Sequence, residues 1–198
     1  MRLLKTASKK TLPEAVADAK CLYKTVELWT CDEHRIGLIP RLKRSWAPKG
    51  QRPIVKVQTQ YEWLYLFAFV RPQTGDTIWY ILPECNTQAF QLVLDNFARD
   101  RATFEDKHIL LVLDQAPWHR GNDLNLPTGL ETIPLPPYSP ELQPAEHLWH
   151  LSDETIVNRS FHSLDQLQDS LSQQCVRLIH QPQRIKDLTL FHWWPIIH

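Results

Sequence analysis

The chain has 198 residues, 43% of them hydrophobic and 22% charged, which is typical of one soluble globular domain. Its formal net charge is zero, so the total charge does not by itself indicate a nucleic-acid partner. No apolar run reaches the roughly 18 residues of a membrane span, the basic start lacks the apolar core of a secretory signal, and no CxxC spacing suggests structural zinc.

The first part of the chain predicts a helix followed by strands. Residues 12–20 have a helical composition and belong to a lead-in segment over residues 1–22. Thr25 to Thr30 is β-rich and alternates, so we predict a first strand that runs into Asp32. Arg35 to Pro40 is predicted to pair back as a second strand.

A basic stretch follows. From His34 to Lys56 the chain carries a charge of +7 and no acidic residue, so the remainder must sum to −7. This is either a solvated loop or a loop that grips phosphates, because clustered cations release counterions from a polyanion. The candidate DNA-binding residues are Arg41, Lys43, Arg44, Lys49, Arg52 and Lys56.

The middle of the chain gives the clearest strand signals. Tyr61 to Val70 is aromatic and apolar on both faces, which predicts a central strand, and Thr77 to Leu82 predicts the next one. Asn86 or Thr87 caps a predicted helix that extends to about Asp100. His108 to Leu113 is continuously apolar, as expected for a strand buried on both faces.

The last third predicts a short strand and two helices. The strand covers Leu130 to Leu135, one helix begins near Pro144, and the other covers Leu164 to His180. We expect an α/β fold with a mixed five-stranded sheet flanked by helices, in the ribonuclease-H-like arrangement where the first and fourth strands are neighbours. This domain would cover residues 23–182, with the apolar tail 183–198 packed on the core.

Three carboxylates stand out under this reading. Asp32 ends the first strand and Asp114 ends the buried strand, so both reach one sheet edge if the strands are neighbours. Glu146 falls in the first turn of the helix that begins near Pro144 and points back to the helix start. Clustered carboxylates need a cation, and Mg²⁺ takes oxygen ligands. An Asp at a strand end is otherwise a turn or cap residue, and spacing alone does not decide between these readings.

The sequence around the acids resembles DDE-type transposases of the Tc/mariner superfamily, in its bacterial insertion-sequence branch. Four segments carry the resemblance: WTCDEHRIGLIP at 29–40, WAPKGQRP at 46–53, LVLDQAPWHRG at 111–121 and LPPYSPELQPAEHLW at 135–149. The resemblance implies a ribonuclease-H-like, retroviral-integrase-like fold. It also implies metal-dependent DNA strand cleavage and 3′-end strand transfer, with two Mg²⁺ or Mn²⁺ ions per site.

By motif position the resemblance makes Asp32, Asp114 and Glu146 the catalytic acids and metal ligands. Glu33 and Glu141 are plausible acids on composition, and the proline motif selects Glu146 instead. Three features depart from the pattern: Gln143 replaces the usual Asn and weakens the expected helix cap, Gln115 replaces a frequent Asn, and the 32 positions from Asp114 to Glu146 are slightly fewer than expected.

His119 recurs in similar sequences and either contacts the scissile phosphate or anchors its loop through a hydrogen bond. Trp118, Tyr138 and Trp149 are expected to pack around the site, with stacking on a frayed base as the alternative.

The expected partners are transposon-end and target DNA, with a homodimer on paired ends, no membrane and no organic cofactor. Residues 1–24 are too short for the helix-turn-helix module of similar transposases, so we expect an excised or truncated catalytic domain, or the product of a second reading frame. The expected location is the bacterial cytoplasm, on the nucleoid when DNA is bound. Two rival functions stay open: a nuclease without strand transfer, and a remnant that binds DNA or a partner without cutting.

Overall fold

A computed structural model describes residues 11–44, 46–51, 59–101, 107–120 and 124–197. Five strands form one mixed sheet in the order β3-β2-β1-β4-β5. Antiparallel pairs join β1 to β2 and β2 to β3, whereas β4 is parallel to both β1 and β5. The strands are β1 (Thr25–Gly37), β2 (Trp63–Arg71), β3 (Asp76–Leu82), β4 (Lys107–Leu113) and β5 (Leu130–Pro134).

In the described part of the chain, five α-helices accompany the sheet: α1 (Leu12–Leu22), α2 (Thr87–Asp100), α3 (Trp149–Ser152), α4 (Leu164–Ile179) and α5 (Pro182–Thr189). Of the two caps predicted for α2, Asn86 is the one present, and Ser163 caps α4; both side chains accept hydrogen bonds from the first turns of these helices. Within the described ranges, no helix is both long and apolar enough to cross a bilayer.

Strand alternation sends side chains to two covered faces. One face packs against α2, where Trp29, Cys31, Phe67 and Phe69 meet the apolar side of that helix. The opposite face is covered by α1, by α4 and by α5 with the turns before it. On β4, Ile109 and Leu111 pack on the first face while Leu110 and Val112 pack on the second, as predicted for a strand buried on both faces.

One prediction about the strands was wrong. Arg35 to Pro40 is not a separate strand, because β1 continues without a break to Gly37 and pairs with β2 over its whole second half. The strand predicted as central, now β2, is an interior strand with neighbours on both sides, and β1 beside it is the middle strand of the sheet.

The segments after β5 also differ from prediction. The helix predicted from Pro144 is a 3-10 turn (Pro144–Leu148) followed by the short α3, and no side-chain cap begins it. The predicted tail over 183–198 contains most of α5, which starts at Pro182 in the position where proline is favoured. Beyond it Trp194 is 3% exposed and packs with α1, β4 and β5.

Candidate active site

The sheet register brings two acids to one edge. Parallel pairing between β1 and β4 ends at Thr30 and Val112. Asp32 and Asp114 each lie two residues beyond their member of that pair, so they leave neighbouring parallel strands at the same level. Glu146 is carried by the 3-10 turn Pro144–Leu148, which packs against β1 and β2.

The three acids act on one another electrostatically. Burial raises the pKa of Asp32 to about 8, and the charges of Glu33 and Glu146 add to the effect. Burial also raises the pKa of Glu146, with a contribution from the charge of Asp114. Each of these shifts identifies a carboxylate whose charged form a nearby cation would stabilise.

Asp32 is held from the face of the sheet that carries α3. The indole Nε1 of Trp149 donates to Asp32 Oδ2 at 3.0 Å. The ring of Trp149 stacks on His34 with centroids 4.7 Å apart, and His34 Nε2 lies 3.1 Å from Asp153 Oδ1. Arg41 Nη1 donates to Asp153 Oδ2 at 2.9 Å. A continuous set of contacts from Arg41 to Trp149 therefore fixes the orientation of the Asp32 carboxylate.

Asp114 is held from the opposite face, which carries α2. His119 Nδ1 lies 2.7 Å from Asp114 Oδ1, and His119 Nε2 lies 3.0 Å from Glu33 Oε1. Trp118 Nε1 donates to the other oxygen of Glu33 at 3.3 Å. Burial opposes the charged imidazole, but the hydrogen bonds to the two carboxylates outweigh it and raise the pKa of His119 to about 9. The hydrogen bond from His119 in turn keeps the pKa of Asp114 below its usual value.

A cavity of about 580 Å³ opens beside these acids. Asp114 and Glu146 line it together with Arg120 and with a mostly apolar wall over residues 135–140. On that wall Tyr138 is fully exposed and has a φ of 58°, a left-handed conformation that is strained for a residue other than glycine. The cavity therefore joins carboxylates to an exposed aromatic ring.

The donor set fits a hard divalent cation, because all three acids offer carboxylate oxygens. Trp149 donates to Oδ2 of Asp32, and Oδ1 of Asp114 bonds to His119 and the Ala116 amide. In each carboxylate, the other oxygen takes no part in these bonds. In the described part of the chain, no three Asp, Glu, His or Cys side chains stand close enough together to hold a metal at once. Metal binding would thus need these carboxylates to draw together.

The basic stretch divides into different environments. Arg41 forms an ion pair with Asp153, so its positive charge already has a carboxylate partner. Its carbonyl accepts a hydrogen bond from the Asn158 amide. The Lys43 amide donates to the Asn158 side chain at 2.9 Å. Arg44 and Lys49 are exposed. Arg52 and Lys56 lie outside the described residues.

Several residues around the acids were not predicted from sequence. Glu33 was considered only as an alternative acid, Trp149 as packing and Gln143 as a poor helix cap, whereas Gln143 hydrogen-bonds to β1 through its side chain. One signal was available: Trp149 follows Glu146 by three positions, which places both on one side of a helical turn. His34 follows Asp32 by two and therefore shares its face of the strand.

Comparison with known protein families gives a match over most of the chain. A family model described as DDE superfamily endonuclease matches residues 27–168. A curated protein of Sinorhizobium fredii, the uncharacterized protein y4pE/y4sA, is 34% identical over 132 residues, which is 66% of this chain and 96% of that protein.

Solved structures of the Mos1 transposase share the fold. The Mos1 strand transfer complex is 20% identical with a TM-score of 0.55, over 89% of this chain and 57% of that chain. The mariner Mos1 paired-end complex with Mg is 23% identical with a TM-score of 0.56, over 83% and 55%. The chain thus spans little more than half of these neighbours. The likeness confirms the predicted ribonuclease-H-like fold.

Proposed function

Because the chain belongs to the DDE superfamily endonuclease family, we propose that it is the catalytic domain of a cut-and-paste DNA transposase. Asp32, Asp114 and Glu146 are its catalytic acids and hold two Mg²⁺ or Mn²⁺ ions. The observation that carries the proposal is the edge where β1 and β4 end together. Two acids leave neighbouring parallel strands there at one level, the charge of Glu146 raises the pKa of Asp32, and the charge of Asp114 raises the pKa of Glu146.

The reaction proceeds in two phosphoryl transfers that need no covalent protein intermediate. In the first, water attacks the phosphorus at a transposon end, and the bond to the 3′ oxygen breaks to leave a 3′ hydroxyl and a 5′ phosphate. In the second, that hydroxyl attacks a target phosphodiester, loses its proton and displaces the target's own 3′ oxygen. Bound divalent ions supply charge stabilisation of the phosphorane-like transition state and a lower pKa for the attacking hydroxyl or water.

The protein's own groups orient the acids for this chemistry. Trp149 holds one oxygen of Asp32, and His119 holds one oxygen of Asp114. Each hydrogen bond orients its whole carboxylate and therefore also positions the second oxygen. We assign His119 a positioning role, because its ring is 7% exposed and both nitrogens face carboxylates. A direct contact with the scissile phosphate would require those bonds to break.

DNA is the proposed substrate. The cavity beside Asp114 and Glu146 would receive the cleaved strand, with exposed Tyr138 at its wall and Arg120 beside it. Exposed Arg44 and Lys49 would contact phosphates without reading sequence. The similar Mos1 structures are paired-end and strand transfer complexes, which supports a homodimer acting on two ends and a target duplex.

Strand transfer is tested with a duplex that already carries a free 3′ hydroxyl and a supercoiled plasmid as the target, in Mg²⁺ or Mn²⁺. We expect joined products from the parent chain and at least a hundredfold loss in Asp114→Asn, because removing a ligand removes charge stabilisation of the transition state. Glu141→Gln is the matched control, since Glu141 is an exposed acid of the same loop as Glu146.

The products separate this proposal from the rival functions. Metal-dependent cutting without joined products would identify a nuclease that lacks strand transfer. Binding to the duplex with neither product, unchanged in Asp114→Asn, would identify a DNA-binding remnant. Equal loss in Glu141→Gln and Asp114→Asn would show that general acidity of the loop, and not the assigned acid, determines activity.

A further inference from the structure

The β1 and β4 strands separate just before the acids. Their parallel ladder stops at Thr30 and Val112, although β1 continues to Gly37 along β2 alone. Beyond Thr30, the side of β1 that faced β4 therefore has no strand partner. Buried backbone groups at such a point need other hydrogen-bonding partners.

The side chain of Gln143 takes that position. Its Nε2 donates to the carbonyl of Cys31 at 3.0 Å, and its Oε1 accepts a hydrogen bond from the hydroxyl of Thr30. Gln143 is 2% exposed, and Thr30 and Cys31 are 0% exposed, so these bonds are shielded from water. A carboxamide thus replaces the strand ladder at the residues immediately before Asp32.

The backbone of Gln143 reaches the third acid. Its carbonyl accepts from the Glu146 amide at 3.2 Å, which closes the 3-10 turn that carries Glu146. One residue therefore connects the strand of Asp32 to the turn of Glu146, through its side chain on one side and its main chain on the other.

We propose that Gln143 is a positioning residue that sets the separation between Asp32 and Glu146 and so tunes the metal site. This inference rests on the proposed function for the identity of the acids, but not for the geometry. Asn at this position would be shorter by one methylene. Leu would fill the space but form neither hydrogen bond. The buried carbonyl of Cys31 and the buried hydroxyl of Thr30 would then lose their bonds to Gln143.

The first test is structural and needs no metal. Crystal structures of the parent and of Gln143→Leu would compare the Cα–Cα separation of Asp32 and Glu146. We expect a change of about 1 Å, roughly twice the tolerance with which functional groups are held in working sites. An unchanged separation would overturn the proposal, whatever the activity of the chain.

The second test measures Mn²⁺ affinity by electron paramagnetic resonance and thermal unfolding on the same samples. Gln143→Leu is expected to bind Mn²⁺ at least tenfold more weakly, as is found when groups that orient metal ligands are removed. Thr30→Val should show part of this loss, and Thr30→Ser, which keeps the hydroxyl, should restore parent affinity.

Gln174→Leu is the matched control. Gln174 is a buried glutamine, 5% exposed, whose amide donates to the Leu151 carbonyl at 2.7 Å and to Glu154 Oε2 at 3.3 Å. It should lose thermal stability and keep its Mn²⁺ affinity. Equal affinity in Gln143→Leu and the parent, or an equal loss in Gln174→Leu, would overturn the positioning role. Asp114→Asn, run in parallel, reports separately whether the bound Mn²⁺ is at the acids at all, and thus on the proposed function.

Discussion

Asp32 is the acid whose negative charge the fold accommodates least. Burial and the charges of Glu33 and Glu146 raise its pKa to about 8, whereas an aspartate in an unfolded chain titrates near 3.9, roughly. Between these values the folded protein holds a proton that the unfolded chain has lost. The free energy of unfolding therefore falls as pH rises through this window, and Asp32 destabilises the metal-free protein most above pH 8.

Asp32→Asn should consequently stabilise the metal-free protein in a pH-dependent way. Near pH 4.5 the neutral amide replaces a carboxyl that is already protonated, so we expect little change in Tm. Near pH 8.5 the Tm of the variant should exceed that of the parent by about 5 °C or more. A stabilisation of roughly 2 kcal/mol raises Tm by that amount in a chain of this size. Thermal unfolding in EDTA at both pH values measures the difference.

Mg²⁺ should reverse the order of the two proteins. The parent gains stability from ions bound between the acids, whereas Asp32→Asn lacks a ligand and gains less. Glu141→Gln, at an exposed acid, controls for the loss of one negative charge. A difference between Asp32→Asn and the parent that is the same at both pH values would contradict the assigned repulsion.

The sequence patterns single out the three proposed acids, but the groups that hold them could not be predicted. Asp32 and Asp114 follow strands whose apolar patterns are readable, and the proline motif singles out Glu146. Trp149 reaches Asp32 across 117 positions, and His119 reaches Glu33 across 86. Contacts of this kind depend on which rotamers meet in the folded chain, and no local pattern encodes them.

At the scale of elements, the two ends of β1 have different tasks. Its second half carries the acid site, and its first half carries Glu27, a carboxylate only 6% exposed. Lys107 Nζ, Arg101 Nη2 and Arg71 Nη1 lie 3.0, 3.2 and 3.4 Å from the oxygens of Glu27. This cluster joins β1 to β2, to β4 and to the end of α2.

Glu27→Ala should therefore cost stability without affecting the acid site. Removing one partner of a buried ionic cluster costs about 3 kcal/mol or more, which lowers Tm by roughly 6–12 °C in a chain of this size. Mn²⁺ affinity should remain at the parent value, because the cluster lies at the start of β1. Thermal unfolding and Mn²⁺ titration check the two halves of this prediction.

Arg184→Ala provides the comparison for the Glu27 cluster. Arg184 and Glu154 form an ion pair in which each side chain is nearly half exposed. Pairs of this kind contribute about 1 kcal/mol or less. Equal losses of stability in the two variants would show that the Glu27 cluster is no stronger than a surface pair.

Element boundaries near the site were the least predictable features of the fold. Arg35 to Pro40 was predicted to pair back as a separate strand, but pairing of Glu33 to Gly37 with β2 extends β1 instead. Pro144 suggested the start of an α-helix, but the side chain of Gln143 hydrogen-bonds to β1 and does not cap the turn that begins at Pro144. In both places tertiary hydrogen bonds override the local preference of the sequence.

For the whole molecule, a net charge of zero conceals an uneven distribution. The stretch from His34 to Lys56 carries +7, and the rest of the chain carries −7. Not every cation of this stretch is available to a ligand, because Arg41 is bound to Asp153. Lys43, Arg44 and Lys49 are the other exposed basic residues that the structure describes between the end of β1 and residue 51.

Replacing Arg44 and Lys49 together by Gln should weaken DNA binding most at low salt. Each phosphate contact contributes about 0.9 to the slope of log K against log salt concentration, so the double variant should have a slope shallower by about 2. The loss should be the same for unrelated duplex sequences, because phosphate contacts carry no base information. Fluorescence anisotropy over a range of salt concentrations measures both quantities, with Lys20→Gln/Lys24→Gln as the control, two exposed cations before β1. Equal slopes for the parent and the Arg44/Lys49 variant would show that these side chains do not contact DNA. Equal changes in both double variants would show that the loss of net positive charge alone causes the effect.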